Sequence, residues 1–384
     1  MAKNIVFCAD GTWNNPDEDE NADQSPDPTN VFKLFMCLDG ALSLELLGKT
    51  DEKEQEKALT RDGATLQISK YIHGVGDSRN PIIKLMGGAF GTGVISRVVR
   101  GYTFISRNYE PGANIVIVGF SRGAYTARAL AGLIASQGLL APRIAQDKEL
   151  AYRRGAEAWY RCRKANSTAF SFAHLAEIAA DLPAFLSSSS LDSADLVPVD
   201  RIASVAVWDT VGAMGIPTYA GGKHVDAFQF ADMKLSPKVS KGFHAVALDE
   251  RRNDFTPTLW DGAPNVTQVL FPGAHADIGG GYPMANGESG LSDGALLWMI
   301  EQLAGTGVLF SKAQTYPVTP NPAGTAHKPW VHLPWTLPGV SLGARSFSES
   351  IAEHPSIAAR ITAGPVVAEP GENPRAPYEP ANRP

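Results

Sequence analysis

The chain has 384 residues, 44% hydrophobic and 19% charged, the make-up of a globular protein with a sizeable core; this length suits two or three domains of roughly 150 residues, or one α/β sheet carrying insertions. Acidic residues outnumber basic ones, 40 against 34, for a net charge of −6, so the basic footprint of a nucleic-acid binder is missing. No run approaches the roughly 18 apolar residues of a membrane span, and Cys8, Cys37 and Cys162 are too scattered for a disulfide framework or a metal-ligand spacing, which leaves structural thiols.

The N-terminal MAKNIVFCADG lacks the long apolar segment and cleavage site of a signal peptide, which predicts synthesis and folding in the cytosol. Asn4 to Asp10 is an apolar run stopping at Asp10-Gly11, a central strand ending in a turn. Gly11-Thr12-Trp13-Asn14 leads into an acidic stretch, Asn15 to Pro28, that reads as an exposed loop, with Asp17 to Glu20 either a solvated charge run or a cation site. Thr29 or Asn30 caps a helix that carries Val31, Leu34, Phe35 and Leu38 on one face. Asp51 to Lys57 reads as charged surface, and Thr65 to His73 as a strand ending at Gly74-Val75-Gly76-Asp77. Gly87 to Gly93 opens a long helix through Tyr109; without a Gly-Lys-Ser/Thr ending its glycines indicate close packing, not phosphate binding.

Asn114 to Leu133 organises the chain. Ile115 to Val118 is a β-branched strand and Ala124 to Leu133 a helix of small apolar residues, joined by a sharp turn at Ser121. Gly119, Ser121 and Gly123 form G-x-S-x-G, the pattern that places a serine hydroxyl on a strained elbow above a sheet. The following helix aims its unpaired N–H groups at any negative charge that develops beside the serine. A tight turn with a solvated serine is the bland alternative.

From Leu140 to Val197 the chain is helical, with no strand pattern, and reads as an insertion or a lid over the carboxyl end of the sheet. Its Trp159, Tyr160, Phe170, Phe172 and Phe185 are either a lid's apolar face, open to transient membrane contact, or core. Strands resume at Arg201 to Asp209, Phe243 to Asp249, and Val266 to Pro272, the last running into Gly273-Ala274-His275-Ala276-Asp277; Leu291 to Leu303 is a helix. Residues 1–310 thus form one α/β unit with 140–197 inserted, and 311–384 a Pro/Gly-rich extension ending in an extended, weakly ordered tail.

Strands alternating with helices predict a mostly parallel sheet with helices on both faces, whose ligands sit beyond the strands' carboxyl ends. Ser121, Asp209 and His275 fall at such ends, in the chain order of nucleophile, acid and histidine found in α/β-hydrolases. A hydroxyl needs a base and the base an orienting carboxylate, which casts His275 and Asp209 in those parts. The rivals are Asp249 and Asp254 as the acid and His73 as the base. The oxyanion donors would be the N–H of Arg122 and one from Gly11 or Thr12. A metal-dependent hydrolase built on Asp10, His275 and Asp277 is a competing arrangement, and a catalytically idle hydrolase fold serving as a binding module is another; the serine reading calls for no metal and no cofactor.

CADGTWN at Cys8–Asn14, YIHGVGD at Tyr71–Asp77, GFSRGAYTAR at Gly119–Arg128, VWDTVGA at Val207–Ala213, DERRNDFTPTLW at Asp249–Trp260 and PGAHADIGGGY at Pro272–Tyr282 together resemble the bacterial α/β-hydrolase-like family that includes the first class of type VI secretion lipase effectors. The resemblance implies a Ser121, Asp209, His275 triad, an α/β-hydrolase-like fold, and lipase or phospholipase activity, with an esterase of smaller substrates as the alternative. It also implies delivery by a secretion machine, with a component of that machine and an immunity protein as candidate partners.

Overall fold

This computed structural model describes residues 2–11, 27–43, 54–74, 90–166, 191–211, 234–313, 315–333, 335–337, 340–371, 375–380 and 382–383. Thr12 to Asn14, the acidic stretch with Asp17 to Glu20, Val75 to Asp77, the glycines Gly87 and Gly88, Gly212, and Phe170, Phe172 and Phe185 lie outside the described residues.

The chain runs β1 (Asn4–Ala9), α1 (Asn30–Cys37), β2 (Ala41–Leu42), β3 (Glu54–Arg61), β4 (Ala64–Ile72), α2 (Phe90–Asn108), β5 (Asn114–Phe120) and α3 (Arg122–Gln137). It continues through β6 (Leu139–Leu140), α4 (Pro142–Ala145), α5 (Lys148–Asn166), β7 (Leu196–Val197), β8 (Ile202–Trp208), β9 (Val239–Ala247), β10 (Val266–Phe271) and α6 (His275–Gly279), and ends with α7 (Gly290–Ala304), β11 (Ala352–Glu353) and α8 (Pro355–Thr362).

Among the described residues nine strands form one sheet in the order β11-β10-β9-β8-β5-β1-β4-β3-β2, parallel from β11 to β4 and antiparallel at β4/β3 and β3/β2. Parallel strands are stable when covered on both faces, and here the two-residue period divides each strand between two cores. Ile5, Phe7, Ile115, Ile117, Val205 and Val207 point into one, shared with α2, α3 and α5. Val6, Cys8, Val116, Val118, Ala206 and Trp208 point into the other, shared with α1 and α7. The expected layout of helices on both faces is therefore present. Because α1 and α3, which follow β1 and β5 in the chain, pack on opposite faces, the ends of these neighbouring strands form the switch point at which ligands usually bind in such sheets.

Three stretches depart from the sequence reading. Asp51 to Lys57, read as charged surface, lies partly in β3, which pairs antiparallel with β4. Its charges have cross-strand partners: Glu54 and Glu56 reach Lys70 at 2.7 and 3.0 Å, and Lys57 donates to the carbonyls of Phe35, Met36 and Leu38 at the end of α1. Leu140 and Val197, the limits of the supposedly strand-free insertion, belong to an antiparallel clasp of β6 on β7, and Trp159 is core, 3% exposed. The tail, expected to be weakly ordered, is docked. Tyr378 donates its hydroxyl to Asp249 and Asn382 its amide to Leu248 O, both at 2.8 Å, while β11 extends the sheet beside β10.

Candidate active site

Parallel pairing puts the carboxyl ends of β1, β5, β8 and β10 on one side, and with them Asp10, Ser121, Asp209 and the loop to His275. At Ser121 the chain must leave the sheet for α3 within one residue, and the backbone goes to φ 57°, ψ −122°. A non-glycine residue with positive φ is strained; among the described residues only Asp62, Ser121 and Asp209 adopt it, so two of the three lie here. The neighbouring glycines are sterically required. A Cβ at Gly119 would strike the Gly123 carbonyl, and one at Gly123 would strike the carbonyls of Ala9 and Asp10.

The structure brings Ser121, His275 and Asp209 together in a single relay. Ser121 Oγ stands 2.8 Å from His275 Nε2, and His275 Nδ1 stands 2.6 Å from Asp209 Oδ2. All three are buried, Ser121 at 5% and His275 at 6% exposure, Asp209 completely. The imidazole opens the short helix α6, whose entry is capped by the Asp277 carboxylate accepting from Ala274 N at 2.9 Å. Its ring is held between Phe120 and Phe255, with centroids at 4.6 and 4.8 Å, and its backbone N–H donates to Glu250 at 3.2 Å. Burial pushes the imidazole below its ordinary value, against the pull of Asp209, so the neutral, proton-accepting form prevails at neutral pH.

Asp209 is the most heavily supported member. Its Oδ1 accepts from Ala247 N at 3.0 Å. Arg345 grips both oxygens, Nη1 on Oδ1 at 2.7 Å and Nη2 on Oδ2 at 2.9 Å. Burial alone would raise the carboxyl; the Arg345 guanidinium and the His275 hydrogen bond outweigh it and hold Asp209 well below the usual carboxylate range. The next residue is tied down as well, Thr210 N donating to His244 Nε2 at 3.1 Å.

The other candidates are elsewhere or otherwise engaged. Asp249 binds Gly273 N and Tyr378 at 2.7 and 2.8 Å, and burial raises its carboxyl to about 6. Asp254 is exposed in a 3-10 turn, and the His73 carbonyl accepts from Arg97. Of the proposed metal trio, Asp277 faces His327 at 2.7 Å, Asp10 faces Tyr71 and Thr29, and His275 belongs to the relay; among the described residues no group of three acidic, histidine or cysteine side chains could hold an ion. Of the expected backbone donors, Arg122 follows Ser121 as the first residue of α3. Gly11 N–H donates to Asp10 Oδ1 at 2.7 Å and is committed there, and Thr12 lies outside the described residues.

Sequence reasoning missed Arg345, Glu250 and the aromatic pair. Glu250 takes Arg252 through both oxygens, at 2.8 and 2.7 Å, and the Arg252 guanidinium lies 3.7 Å over the Phe255 ring and 4.8 Å over that of Trp335. The motif D-E-R-R at 249–252 was the visible signal for Glu250; Arg345 had none.

The family model of the type VI secretion system phospholipase effector Tle1-like catalytic domain matches residues 3–302. An uncharacterized protein of Saccharomyces cerevisiae is 26% identical over 282 residues, which are 70% of this chain and 34% of that protein, so the chain spans about a third of that relative's length. Among solved structures, an uncharacterized protein from Pseudomonas aeruginosa aligns with a TM-score of 0.46 at 19% identity, over 81% of this chain and 46% of the other. A Tle1 effector bound to the VgrG spike of the type 6 secretion system aligns with a TM-score of 0.39 at 19% identity, over 74% and 52%.

Proposed function

The chain belongs to the family of type VI secretion phospholipase effector Tle1-like catalytic domains, and from that premise we propose that it is a serine hydrolase cleaving the carboxylic esters of phospholipids through Ser121, His275 and Asp209. The relay of 2.8 and 2.6 Å hydrogen bonds carries the reading. Ser121 Oγ attacks the acyl carbonyl carbon while its proton passes to His275 Nε2. Asp209 holds the Nδ1–H tautomer and stabilises the imidazolium. The tetrahedral oxyanion sits against the Arg122 N–H, with the Thr12 N–H proposed as the second donor. Collapse breaks the ester C–O bond, the lysolipid alcohol leaves with the His275 proton, and water, deprotonated by the same imidazole, releases the fatty acid from Ser121.

A lipid substrate is supported by an apolar lip. Phe255, against His275, packs on Trp335 at 5.4 Å, and beside Trp335 the chain exposes Val331, Leu333, Leu337 and Leu342, Leu333 at 74%. Isolated exposed leucines are ordinary, whereas several within a dozen residues of sequence around Trp335, which itself packs on Phe255, suit an acyl chain or a lipid surface. We assign the architecture to the α/β-hydrolase type, with 140–197 as an insertion, and the delivery to a secretion machine carrying the protein into a target cell, with an immunity protein as its counterpart in the producer.

The test is reaction with a fluorophosphonate read by mass spectrometry, beside fatty-acid release from phosphatidylethanolamine/phosphatidylglycerol vesicles. We expect one adduct on Ser121, none in Ser121→Ala or His275→Ala, and a loss of hydrolysis of at least about 10³-fold in Ser121→Ala. Folded wild-type protein that takes no adduct and releases no fatty acid overturns the proposal.

A further inference from the structure

Beyond residue 302, where the family match ends, the chain returns to the site. Asn253 N donates to Ser341 O at 3.2 Å, Gly343 N to Arg251 O at 2.8 Å, and Asn253 Nδ2 to Ser341 Oγ at 2.6 Å. This pairing carries Arg345 to Asp209, where Nη1 meets Oδ1 and Nη2 shares Oδ2 with His275 Nδ1. The Arg345 side chain is 5% exposed, and besides the carboxylate it donates to Ala247 O at 2.7 Å and to Phe255 O. A planar guanidinium that spans both oxygens of a buried carboxylate fixes the plane of that carboxylate as well as its charge.

We propose that Arg345 is a positioning residue of the Ser121 site, setting through Asp209 both the orientation and the basicity of His275, so that the segment after the family-matched region is part of the hydrolytic machinery. The inference rests on the hydrolase reading above. Among the described residues no cation besides Arg345 and the imidazole it faces is in contact with Asp209, so removing the guanidinium frees the plane of the carboxylate and leaves its charge to His275 alone. With the guanidinium present, part of the carboxylate's charge is spent on Arg345 and His275 stays less basic. Without it, an ionised Asp209 holds the proton on His275 more tightly. The other charges near the pair are Glu250 and Arg252, bonded to each other, and Arg128, which acts on His244 behind Asp209; none replaces Arg345 at the carboxylate.

The experiment is the rate of Ser121 phosphonylation against pH in the full chain, for wild type, Arg345→Gln and Arg345→Lys. We expect Arg345→Gln to react on the order of 100-fold more slowly with its acid limb moved to higher pH, and Arg345→Lys to recover much of the rate with the limb near that of wild type. A folded Arg345→Gln protein with wild-type rate and profile, or with a lower rate but an unmoved acid limb, overturns the inference and leaves Arg345 a staple of its own segment. If Arg345→Gln does not fold, Asp209→Asn and Asp209→Asn/Arg345→Gln, which carry no carboxylate needing a cation, replace it. Equal rates in these two support action through Asp209, and a further loss in the double variant overturns it. Wild type that takes no adduct on Ser121 overturns the hydrolase reading itself, whereas a labelled wild type with an indifferent Arg345 overturns this inference alone.

Discussion

Asp209 and Asp10 occupy equivalent places at the carboxyl ends of parallel strands two apart in one sheet, and both are buried, at 0% and 1% exposure. Their ionisation differs. Asp209 meets a guanidinium and an imidazole and lies well below the carboxylate range. Asp10 meets neutral donors, Tyr71 and Thr29 hydroxyls at 2.7 Å on Oδ2 and Gly11 N–H at 2.7 Å on Oδ1, and burial lifts it to about 6. Hydrogen bonds from neutral groups do not offset the desolvation of a carboxylate here; a bonded cation does. One aspartate is kept charged, as a relay partner must be, and the other is poised near neutrality as a clamp joining β1, β4 and the entrance to α1.

The largest break in this comparison is Asp209→Asn. The amide keeps the volume but cannot hold the Nδ1–H tautomer and leaves the Arg345 guanidinium unmatched, so ester hydrolysis and phosphonylation should fall by about 10³- to 10⁴-fold; a loss under tenfold in steady-state assays would remove Asp209 from the mechanism. Asp10→Asn tests the other side through stability. With its folded value above the unfolded 3.8, Asp10 contributes stability that is complete below the unfolded value and is lost as pH rises through about 6. Relative to the variant, wild type should therefore lose on the order of 1 to 2 kcal/mol between pH 5 and 7.5, measured by urea unfolding at both; parallel behaviour of the two proteins would show Asp10 ionised throughout. Tyr71→Phe sharpens the comparison with the smallest effect. Removing one neutral donor should cost about 1 kcal/mol at pH 7.5 and raise the Asp10 titration, seen as a shift of the same pH dependence upward; a downward shift would contradict the role of the hydroxyl.

The parallel strands were legible because strands buried on both faces read as unbroken apolar runs ending at Asp10-Gly11, at Ser121 and at Asp209. Strand β3 was not, because its buried and half-buried positions carry Glu54, Glu56 and Lys57, whose partners sit on β4 and α1; only Asp62-Gly63, with φ of 50° and 78°, marked the hairpin. In the site, Ser121, Asp209 and His275 could be grouped from the sequence because each follows a strand. Arg345 could not, since it lies in coil amid proline and glycine with no period to place it, and its position depends on pairing with residues about ninety positions earlier. The opposite shifts of the Asp10 and Asp209 carboxyls were equally unreadable, being set by partners distant in sequence.

The clasp of Leu139–Leu140 on Leu196–Val197 makes the chain leave the sheet region and return to it at one point. For the sheet, everything between is a single closed loop, whose length enters the free energy of folding only logarithmically, at about 0.6 kcal/mol for each doubling. Such a junction lets a lineage lengthen or shorten the sequence between α5 and β7 while α5 stays on the sheet and Ser121 and Asp209, at the ends of β5 and β8, keep their separation.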